Sequence, residues 1–432
     1  MRAVVLGGYG LIGAACVRAL GPAGFAVTGV GRSARAARAS GLAVDWVIAD
    51  IGRMSGDDWR ALVAGADVVV NAAGALQDGA RDDLVAVHVT AVERMLAALA
   101  GSGTRVVQIS AAGVRAEAEA ETAFFATKAQ GDAALMRSGL DWVVLRPVLV
   151  LAPAAYGGTA LLRAAASLPG VVPRVLPGAM VQCVHVDDLA AAVVAAAEGR
   201  VAAGTVAELT EAEGRSLPEL IGVLRGWLGW APARVQVPVP GVLLRGLSAG
   251  ADLMGRLGWR SPLRSTAIAA LEAGVTGDPG AWAAAGGAPC KSLEATLAAM
   301  PATTQDRWFA RAWLAFPVAV GLLALFWTVS GLVGFWRFEA AAAVLTGRGV
   351  GPGAAALAVG LGSAVDVGLG LAILWRRWTA AASVWMILVS LGYMAGALIV
   401  APDLWADPLG PMVKVLPGIG LALFTALLAE DR

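Results

Sequence analysis

The fold of this chain is decided by its opening stretch, Ala3-Val4-Val5-Leu6-Gly7-Gly8-Tyr9-Gly10-Leu11-Ile12-Gly13. A short apolar run ends at the glycines, and a helix-like stretch, Leu11–Leu20, follows them directly. Glycine lets the backbone turn tightly at such a point and lets a pyrophosphate approach with no Cβ in the way. The N-terminus of the following helix offers unpaired N–H groups and a partial positive charge to an anion. The spacing, GxGxxG from Gly8 and GxxGxxG from Gly7, therefore predicts a dinucleotide-binding turn rather than a signal peptide.

The strand–helix alternation behind this turn predicts a complete sheet. The predicted strands are Ala3–Gly7, Ala26–Val30, Trp46–Ala49, Val68–Asn71, Arg105–Ser110 and Trp142–Arg146. The predicted helices are Leu11–Leu20, Ser33–Ser40, Asp57–Ala64, Asp82–Ala100 and Ala123–Arg137. Nearly unbroken apolar strands that alternate with helices are typical of an α/β doubly wound parallel sheet, the Rossmann fold.

The C-terminal part of the chain is much more apolar than the rest. Hydrophobic residues make up 58% of the sequence and charged residues only 15%, and the charges nearly vanish beyond Trp313. Four runs are almost free of charge: Ala312–Trp336, Gly349–Trp375, Trp378–Pro402 and Pro408–Ala429. Each run is close to the roughly 20 residues that a helix needs to cross about 30 Å of hydrocarbon. We therefore predict an all-α four-helix transmembrane bundle, in which Asp366, the one charge of the second run, faces the bundle interior or water rather than lipid.

These patterns divide the chain into three parts. We expect a nucleotide-binding domain over residues 1–205, a helical substrate-side lobe of the same soluble unit over 206–306, and the transmembrane domain over 307–432.

The charges that flank the predicted spans indicate an orientation. Basic residues lie before the first span and between the second and third: Arg307, Arg311, Arg376 and Arg377. The link between the third and fourth spans carries Asp403 and Asp407 instead, although Arg337 and Arg348 oppose the pattern. The positive-inside rule then places the soluble part in the cytoplasm, at a bacterial-type inner membrane, so that the lipid bilayer is the first predicted partner.

Composition excludes several other partners. The net charge of +1 gives no reason to expect binding to nucleic acid. The three cysteines, Cys16, Cys183 and Cys290, lie far apart, and only two histidines, His88 and His185, are present. Neither a disulfide framework nor a metal site is therefore predicted.

The residues that follow the second predicted strand indicate which dinucleotide binds. Enzymes that use NAD place an acidic residue about 20 residues after the glycine loop, where it holds the ribose 2′-hydroxyl. This chain has Arg32-Ser33 there. Arginine can pair with a 2′-phosphate and serine can donate a second hydrogen bond, so NADP(H) is favoured over NAD(H). The alternative is a solvated arginine at the start of a helix.

At this point the sequence resembles the extended or atypical short-chain dehydrogenases/reductases. The resemblance rests on Gly7–Gly13, Asp50-Ile51, Asn71-Ala72-Ala73-Gly74, Ser110, Lys128, Arg146-Pro147 and Val184-His185-Val186-Asp187-Asp188-Leu189-Ala190. The tail segment Trp405–Lys414 is similar to DoxX-like membrane domains, which occur fused to nucleotide-binding proteins of this type.

The resemblance implies roles for individual residues. The cofactor is expected to contact the glycine loop (Gly7, Gly8, Tyr9, Gly10, Leu11, Ile12 and Gly13), Arg32, Ser33, Asp50, Ile51, Ala72, Ala73, Gly74, Lys128 and Pro147. Ser110 and Lys128 take the positions of the catalytic serine and lysine.

One departure from the family pattern concerns the catalytic tyrosine. In YxxxK the tyrosine donates the proton, but the residue four positions before Lys128 is Phe124, whose ring has no proton to give. Of the three tyrosines, only Tyr156, in a loop after the sixth strand, is a candidate replacement. Three other polar residues are interpreted as structural: Asp187 as a helix N-cap, His185 as a hydrogen-bonding residue and His88 as a core or surface residue.

Two classes of function follow. The first is a membrane-anchored, NADP(H)-dependent oxidoreductase whose substrate is lipophilic, with a quinone as one candidate. The second is a non-catalytic protein that binds NADP(H), as a sensor or as an accessory subunit of a membrane complex. Phe124 favours the second class, whereas Ser110 and Lys128 favour the first.

Overall fold

The computed structural model describes residues 1–79, 83–115 and 122–429. The chain forms two compact units: Met1–Ala249 with Ser261–Ala310, and Gly250–Arg260 with Arg311–Arg432. Asp82, the start of one predicted helix, lies outside the described residues.

The first unit is built on a seven-stranded sheet. Its strands are β1 (Arg2–Leu6), β2 (Ala26–Gly31), β3 (Asp45–Ile48), β4 (Val68–Asn71), β5 (Arg105–Ile109), β6 (Trp142–Pro147) and β11 (Thr205–Leu209). The strand order is β11-β6-β5-β4-β1-β2-β3, and every pair is parallel. The predicted doubly wound parallel sheet is confirmed. Its order reverses between β1 and β4, which is the point where such sheets bind ligands.

Helices cover both faces of this sheet. They are α1 (Leu11–Leu20), α2 (Ala34–Ala39), α3 (Gly56–Val63), α4 (Ala91–Leu99), α5 (Ala123–Met136) and α7 (Val186–Ala197), and a π-helical turn, Ala86–Thr90, precedes α4. Side chains alternate between the two faces of a strand, so Val5 packs in a core cluster with α1 and α7, while Val4 packs in another with α3 and α4. Both valines are fully buried, as the unbroken apolar strands predict.

The rest of the first unit forms a mixed lobe. Its strands are β7 (Leu149–Leu151), β8 (Val171–Arg174), β9 (Met180–Val181), β10 (Cys183–His185), β12 (Arg215–Ser216) and β13 (Val235–Pro238). Its helices are α6 (Gly158–Ala166), α8 (Leu217–Trp227), α9 (Gly241–Arg256), α10 (Ser265–Glu272), α11 (Gly280–Ala284) and α12 (Leu293–Ala299). The boundary that we expected at residue 205 falls at the start of β11, which pairs with β6, so the main sheet continues past that boundary. The lobe is therefore not purely helical, and α9 extends into the second unit.

The second unit is helical. Its elements are α13 (Thr304–Trp336, which begins in the first unit), α14 (Phe338–Thr346), α15 (Pro352–Ala372), α16 (Thr379–Val400), a 3₁₀ turn (Pro402–Trp405) and α17 (Val415–Ala429). Among the described residues, α13, α15 and α16 are long and apolar enough to cross a membrane. The fourth predicted span corresponds to α17, which has 15 residues and is shorter than a usual span. A four-helix count therefore remains a prediction.

Small residues bring α13 and α15 close together. A Cβ on Gly331 would lie 2.5 Å from the carbonyl oxygen of Ser363, and one on Gly370 would lie 2.4 Å from Thr328 Oγ1. Such close approach of backbones is typical of helix pairs in membranes. Asp366 of α15 is 8% exposed and accepts hydrogen bonds from Tyr393 of α16 (2.9 Å) and Ser330 of α13 (3.2 Å). The prediction that Asp366 faces the bundle interior or water rather than lipid is confirmed.

Candidate functional site

The glycine loop joins β1 to α1 beside the end of β4. Gly7 has a φ of +71°, and a Cβ there would lie 3.0 Å from both the carbonyl oxygen of Ala72 and Cα of Ala73. A Cβ on Gly13 would lie only 2.1 Å from the carbonyl oxygen of Gly7. Both positions therefore require glycine, because the neighbouring atoms are backbone and cannot move aside. The loop is closed by a hydrogen bond from Gly10 N–H to the carbonyl oxygen of Gly7 (2.8 Å).

The N-terminus of α1 is open to a ligand. Gly10 is its N-cap in an extended conformation, and no side chain accepts a hydrogen bond from the first turn. The first-turn N–H groups, which include those of Leu11, Ile12 and Gly13, have no acceptor within the helix. Backbone N–H groups beside glycines without Cβ atoms form a cradle that fits a pyrophosphate.

Tyr9 extends from the loop to the end of β2. Its hydroxyl accepts hydrogen bonds from the backbone N–H groups of Arg32 (2.9 Å) and Ser33 (3.1 Å). Ser33 caps α2, because its Oγ accepts from the N–H of Ala36 (3.2 Å). The structure therefore brings Tyr9, Arg32 and Ser33 together, as a site for the adenosine end of a dinucleotide requires.

Two further predicted contact segments follow β3 and β4, which are separated in the sheet by β1 and β2. Asp50 accepts a hydrogen bond from Gly52 N–H (3.2 Å) and lies 3.6 Å from the guanidinium of Arg53, while Ile51 is buried. After β4, Ala72 N–H donates to the carbonyl oxygen of Leu6 (3.2 Å).

Gly74 lies beside His88 and Lys128. A Cβ on this residue would lie 3.4 Å from His88 Nε2 and 3.5 Å from Lys128 Nζ. Lys128 is buried, and its Nζ donates a hydrogen bond to the carbonyl oxygen of Ile109 (2.9 Å). Burial lowers the pKa of Lys128 below its ordinary value, and the negative charge of Asp132 partly offsets this effect. An ammonium that gives up its proton more readily than usual therefore faces the strip Ala72–Gly74.

His88 belongs to this cluster, although we interpreted it as a core or surface residue. It lies in the π-helical turn and is 2% exposed. Its Nε2 accepts from the N–H of Ala75 (3.2 Å), and its Nδ1 lies 2.9 Å from Oγ1 of Thr127, so Nδ1 carries the proton. Burial, with a smaller effect from the charge of Lys128, lowers the pKa of His88 to about 3, and the ring is neutral at physiological pH. The sequence around His88 does not indicate that this residue lies near Lys128, because the two residues are brought together only by the fold.

Ser110 makes a buried polar contact that the sequence did not indicate. Its hydroxyl donates to Oδ2 of Asp132 (2.6 Å), which also accepts from Arg146 (3.1 Å). Asp132 is 1% exposed. The spacing of Lys128 and Asp132 could have suggested that Asp132 lies at the site. Asp132 follows Lys128 by four residues on α5, and residues at this spacing share one face of a helix.

The remaining catalytic candidates are arranged differently. Phe124 presents an edge-to-face contact to His88, with ring centroids 5.7 Å apart, so an apolar ring occupies the place beside the cluster. The side chain of Tyr156 is 65% exposed, and its backbone bonds to Thr159. Pro147 ends β6, where its carbonyl oxygen accepts from Ala112 N–H (2.9 Å). The role of Tyr156 in catalysis remains a prediction.

The N-cap predicted at Asp187 is wrong. Helix α7 begins at Val186, two residues earlier than an N-cap at Asp187 requires, so the last extended residue is His185. Its Nδ1 accepts a hydrogen bond from Asp187 N–H (3.1 Å) and caps the helix. The structural role that we assigned to His185 is therefore confirmed. Within the part of the chain that the structure describes, no group of three or more metal-ligating side chains comes together.

Two family models match the sequence. Residues 7–198 match the NAD(P)H-binding family, and residues 324–423 match the DoxX-like family. No curated protein matches the chain closely enough to count as a relative.

Several solved structures share the fold. The enzyme WbmH of Bordetella bronchiseptica in complex with NAD⁺ is 19% identical, with a TM-score of 0.52 over 70% of this chain and 96% of its own. The protein gox2253 is 17% identical, with a TM-score of 0.54 over 72% of this chain and 99% of its own. A short-chain dehydrogenase/reductase superfamily protein from Agrobacterium tumefaciens with bound NAD is 17% identical, with a TM-score of 0.50 over 71% and 97%. At such identities the likeness shows the fold alone. The chain therefore joins an NAD(P)-binding domain of the Rossmann fold to a DoxX-like domain whose apolar helices mark a membrane protein.

Proposed function

We propose that this protein is a membrane-anchored oxidoreductase that uses NADP(H) in preference to NAD(H). The observation that carries the proposal is the cradle of Gly7 and Gly13 at the open end of α1, at the same edge of the sheet as buried Lys128. A structural turn would need the glycines, but it would not need a buried amine beside Gly74. Arg32 and Ser33, at the adenosine end, favour the 2′-phosphorylated cofactor.

The chain's own residues must bind the cofactor and provide a proton. When bound, the nicotinamide supplies or accepts a hydride. Reduction of a quinone by hydride also consumes a proton, which ends on an oxygen of the hydroquinone product. Phe124 has no proton, and the proton of Ser110 is committed to Asp132. Lys128 is therefore the proton donor that we propose, since its pKa is lowered by burial and it faces the cofactor strip.

The membrane domain supports a lipophilic substrate, with a quinone as the leading candidate. A substrate that partitions into the bilayer becomes concentrated where the enzyme is anchored. We place the nucleotide-binding domain on the cytoplasmic side of a bacterial inner membrane. Four arginines, Arg307, Arg311, Arg376 and Arg377, flank the spans on the side that we assign to the cytoplasm. They outnumber the two arginines, Arg337 and Arg348, that oppose the positive-inside pattern.

The second candidate function is a non-catalytic NADP(H)-binding sensor or accessory subunit. It is favoured by the contact of Phe124 with His88, which leaves an apolar ring where a proton donor is expected. In this case the polar cluster of Ser110, Asp132 and Arg146 serves only to hold β5, α5 and β6 together.

One experiment separates the two candidates. The full chain is purified in mild detergent, and its nucleotide is released and identified. The protein is then given NADPH with a short-chain quinone, and the loss of NADPH absorbance is followed. Quinone-dependent oxidation that falls at least tenfold in Lys128→Met, in which the cofactor still binds, would support the oxidoreductase. Nucleotide binding without turnover would favour the sensor, and failure to bind either dinucleotide would reject both.

A further inference from the structure

We propose that Tyr9 is a specificity-determining residue whose hydroxyl donates a hydrogen bond to the 2′-phosphate of NADP(H). The inference rests on the proposed function, because it assumes that a dinucleotide occupies the glycine loop. It adds Tyr9, a residue of the glycine loop, to Arg32 as a side chain that recognises the 2′-phosphate. The ligand chemistry that Tyr9 recognises is a phosphate monoester on the adenosine ribose.

The hydrogen bonds of Tyr9 within the described residues leave its hydroxyl proton available for donation. The hydroxyl oxygen accepts from the N–H of Arg32 at 2.9 Å and from the N–H of Ser33 at 3.1 Å. A phenol has one proton to donate and can accept at its oxygen. Both bonds that this hydroxyl makes within the described residues are accepted ones, so the oxygen is saturated and only donation remains. A ligand at this place meets an O–H donor, oriented by two backbone amides.

The aromatic ring is held in place by its neighbours. A Cβ on Gly31 would lie 2.1 Å from Cε1 of Tyr9, so the ring lies directly on the backbone at the end of β2. Trp46 packs against the other side, with ring centroids 5.9 Å apart. A rigid, partly buried ring loses little conformational entropy when a ligand binds, so its hydroxyl is preorganised.

The groups around this hydroxyl can all donate hydrogen bonds. Ser33 Oγ accepts from the N–H of Ala36, which leaves its own proton available for donation. The guanidinium of Arg32 has only donors. Arg32-Ser33 contains no acidic residue of the kind that accepts a hydrogen bond from the ribose 2′-hydroxyl in enzymes that use NAD. A phosphate has only acceptors at neutral pH and matches this set of donors, whereas a 2′-hydroxyl gains less because it is uncharged.

The test compares two cofactors on the full chain in detergent. The Kd values of NADPH and NADH are measured for the wild type, for Tyr9→Phe and for Tyr393→Phe. Tyr393→Phe is the matched control, because it removes a tyrosine hydroxyl from the membrane unit. We expect Tyr9→Phe to weaken NADPH by on the order of 10-fold and NADH by less than about 2-fold, since one hydrogen bond to a charged group is lost. Tyr393→Phe should change neither value.

The same variants are then titrated with 2′,5′-ADP and with 5′-AMP, which differ only in the 2′-phosphate under test. Tyr9→Phe should lose affinity for 2′,5′-ADP alone, with only a small drop in the thermal midpoint from the loss of the two hydrogen bonds that the hydroxyl accepts. Tighter NADPH binding by Tyr9→Phe would overturn the proposal, because the hydroxyl would then be an obstacle to the phosphate. Equal losses for both cofactors would overturn it too, since the ring would act only by packing. If the wild type binds both cofactors and only the Tyr9 effect is missing, this inference fails alone; if it binds neither, the proposed function fails with it.

Discussion

Ser110 donates its hydroxyl proton to Asp132 across 2.6 Å, although the two residues lie 22 positions apart in the sequence. The same carboxylate oxygen holds Arg146 at 3.1 Å, and Lys128 is its neighbour one turn back on α5. The buried negative charge of Asp132 therefore balances the positive charges of Arg146 and Lys128.

Asp132→Asn should destabilise the protein strongly. The amide cannot balance the charges of Arg146 and Lys128, and removing one partner of a buried ion pair costs about 3–5 kcal/mol. The thermal midpoint of the full chain in detergent measures the effect. Asp57→Asn is the control, because its ion pair with Arg60 is exposed, and it should leave the midpoint unchanged. An Asp132→Asn midpoint equal to that of the control would contradict the buried network.

Gly13→Ala should abolish dinucleotide binding. The new Cβ would meet the carbonyl oxygen of Gly7 at 2.1 Å, so the loop would have to move away from its binding conformation. Gly21→Ala, at the other end of α1, is the control, because its Cβ has no neighbour closer than 3.8 Å. Binding of NADPH is measured for both variants. Normal affinity in Gly13→Ala would show that the loop does not form the cradle.

His88 should make the protein less stable in acid. Its pKa of about 3 in the folded state lies below the ordinary value of 6.5, so protons bind preferentially to the unfolded chain between these values. The contribution of neutral His88 is complete above pH 6.5 and is lost as the pH falls towards 3, at up to about 1.4 kcal/mol per pH unit.

The measurement is the thermal midpoint at pH 7 and pH 5. In His88→Gln, which keeps an acceptor for Ala75 but cannot be protonated, the midpoint should fall less between the two values. If wild type and variant lose the same amount, His88 does not titrate as its burial implies.

Ordinary ketone reductase activity should be very low. Phe124 replaces the proton donor, and the proton of Ser110 is held by Asp132. A panel of ketones and aldehydes with NADPH should show almost no turnover while the cofactor binds, and Phe124→Tyr should raise the rate. Robust wild-type activity that is lost in Tyr156→Phe would identify Tyr156 as the acid. Activity that survives Tyr156→Phe would show that the acid lies elsewhere.

Asp366 should tolerate an amide if it only joins helices. Tyr393 and Ser330 both donate to it, and interhelical hydrogen bonds of this kind contribute about 0.6 kcal/mol on average and up to about 1.7. Asp366→Asn keeps an acceptor and should change the thermal midpoint little, whereas Asp366→Leu removes both bonds and should lower it. Loss of quinone-dependent turnover in a normally folded Asp366→Asn would instead show a proton-handling or ligand-binding role.

The sheet could be predicted because most of its strands are marked by short runs of consecutive apolar residues. Strands buried on both faces are apolar over most of their length, and the runs at β1, β2, β4 and β5 show this directly. The glycine loop could be predicted for the same reason, since a tight turn before a helix limits the residue types at consecutive positions. Helices α13, α15 and α16 follow from their length and their very low content of charged residues.

Tertiary structure decided the contents of the site. His88, Lys128 and Gly74 come from three segments, and their proximity depends on how α5 and the π-helical turn pack on the sheet. The hydroxyl of Tyr9 reaches Arg32 and Ser33 because the end of β2 lies beside the loop, which no local pattern records. The sequence by itself determined which elements form, because propensity and hydrophobic periodicity act over short stretches of chain. Only the fold determined which polar side chains are buried together, because hydrogen bonds between distant segments depend on distance in space.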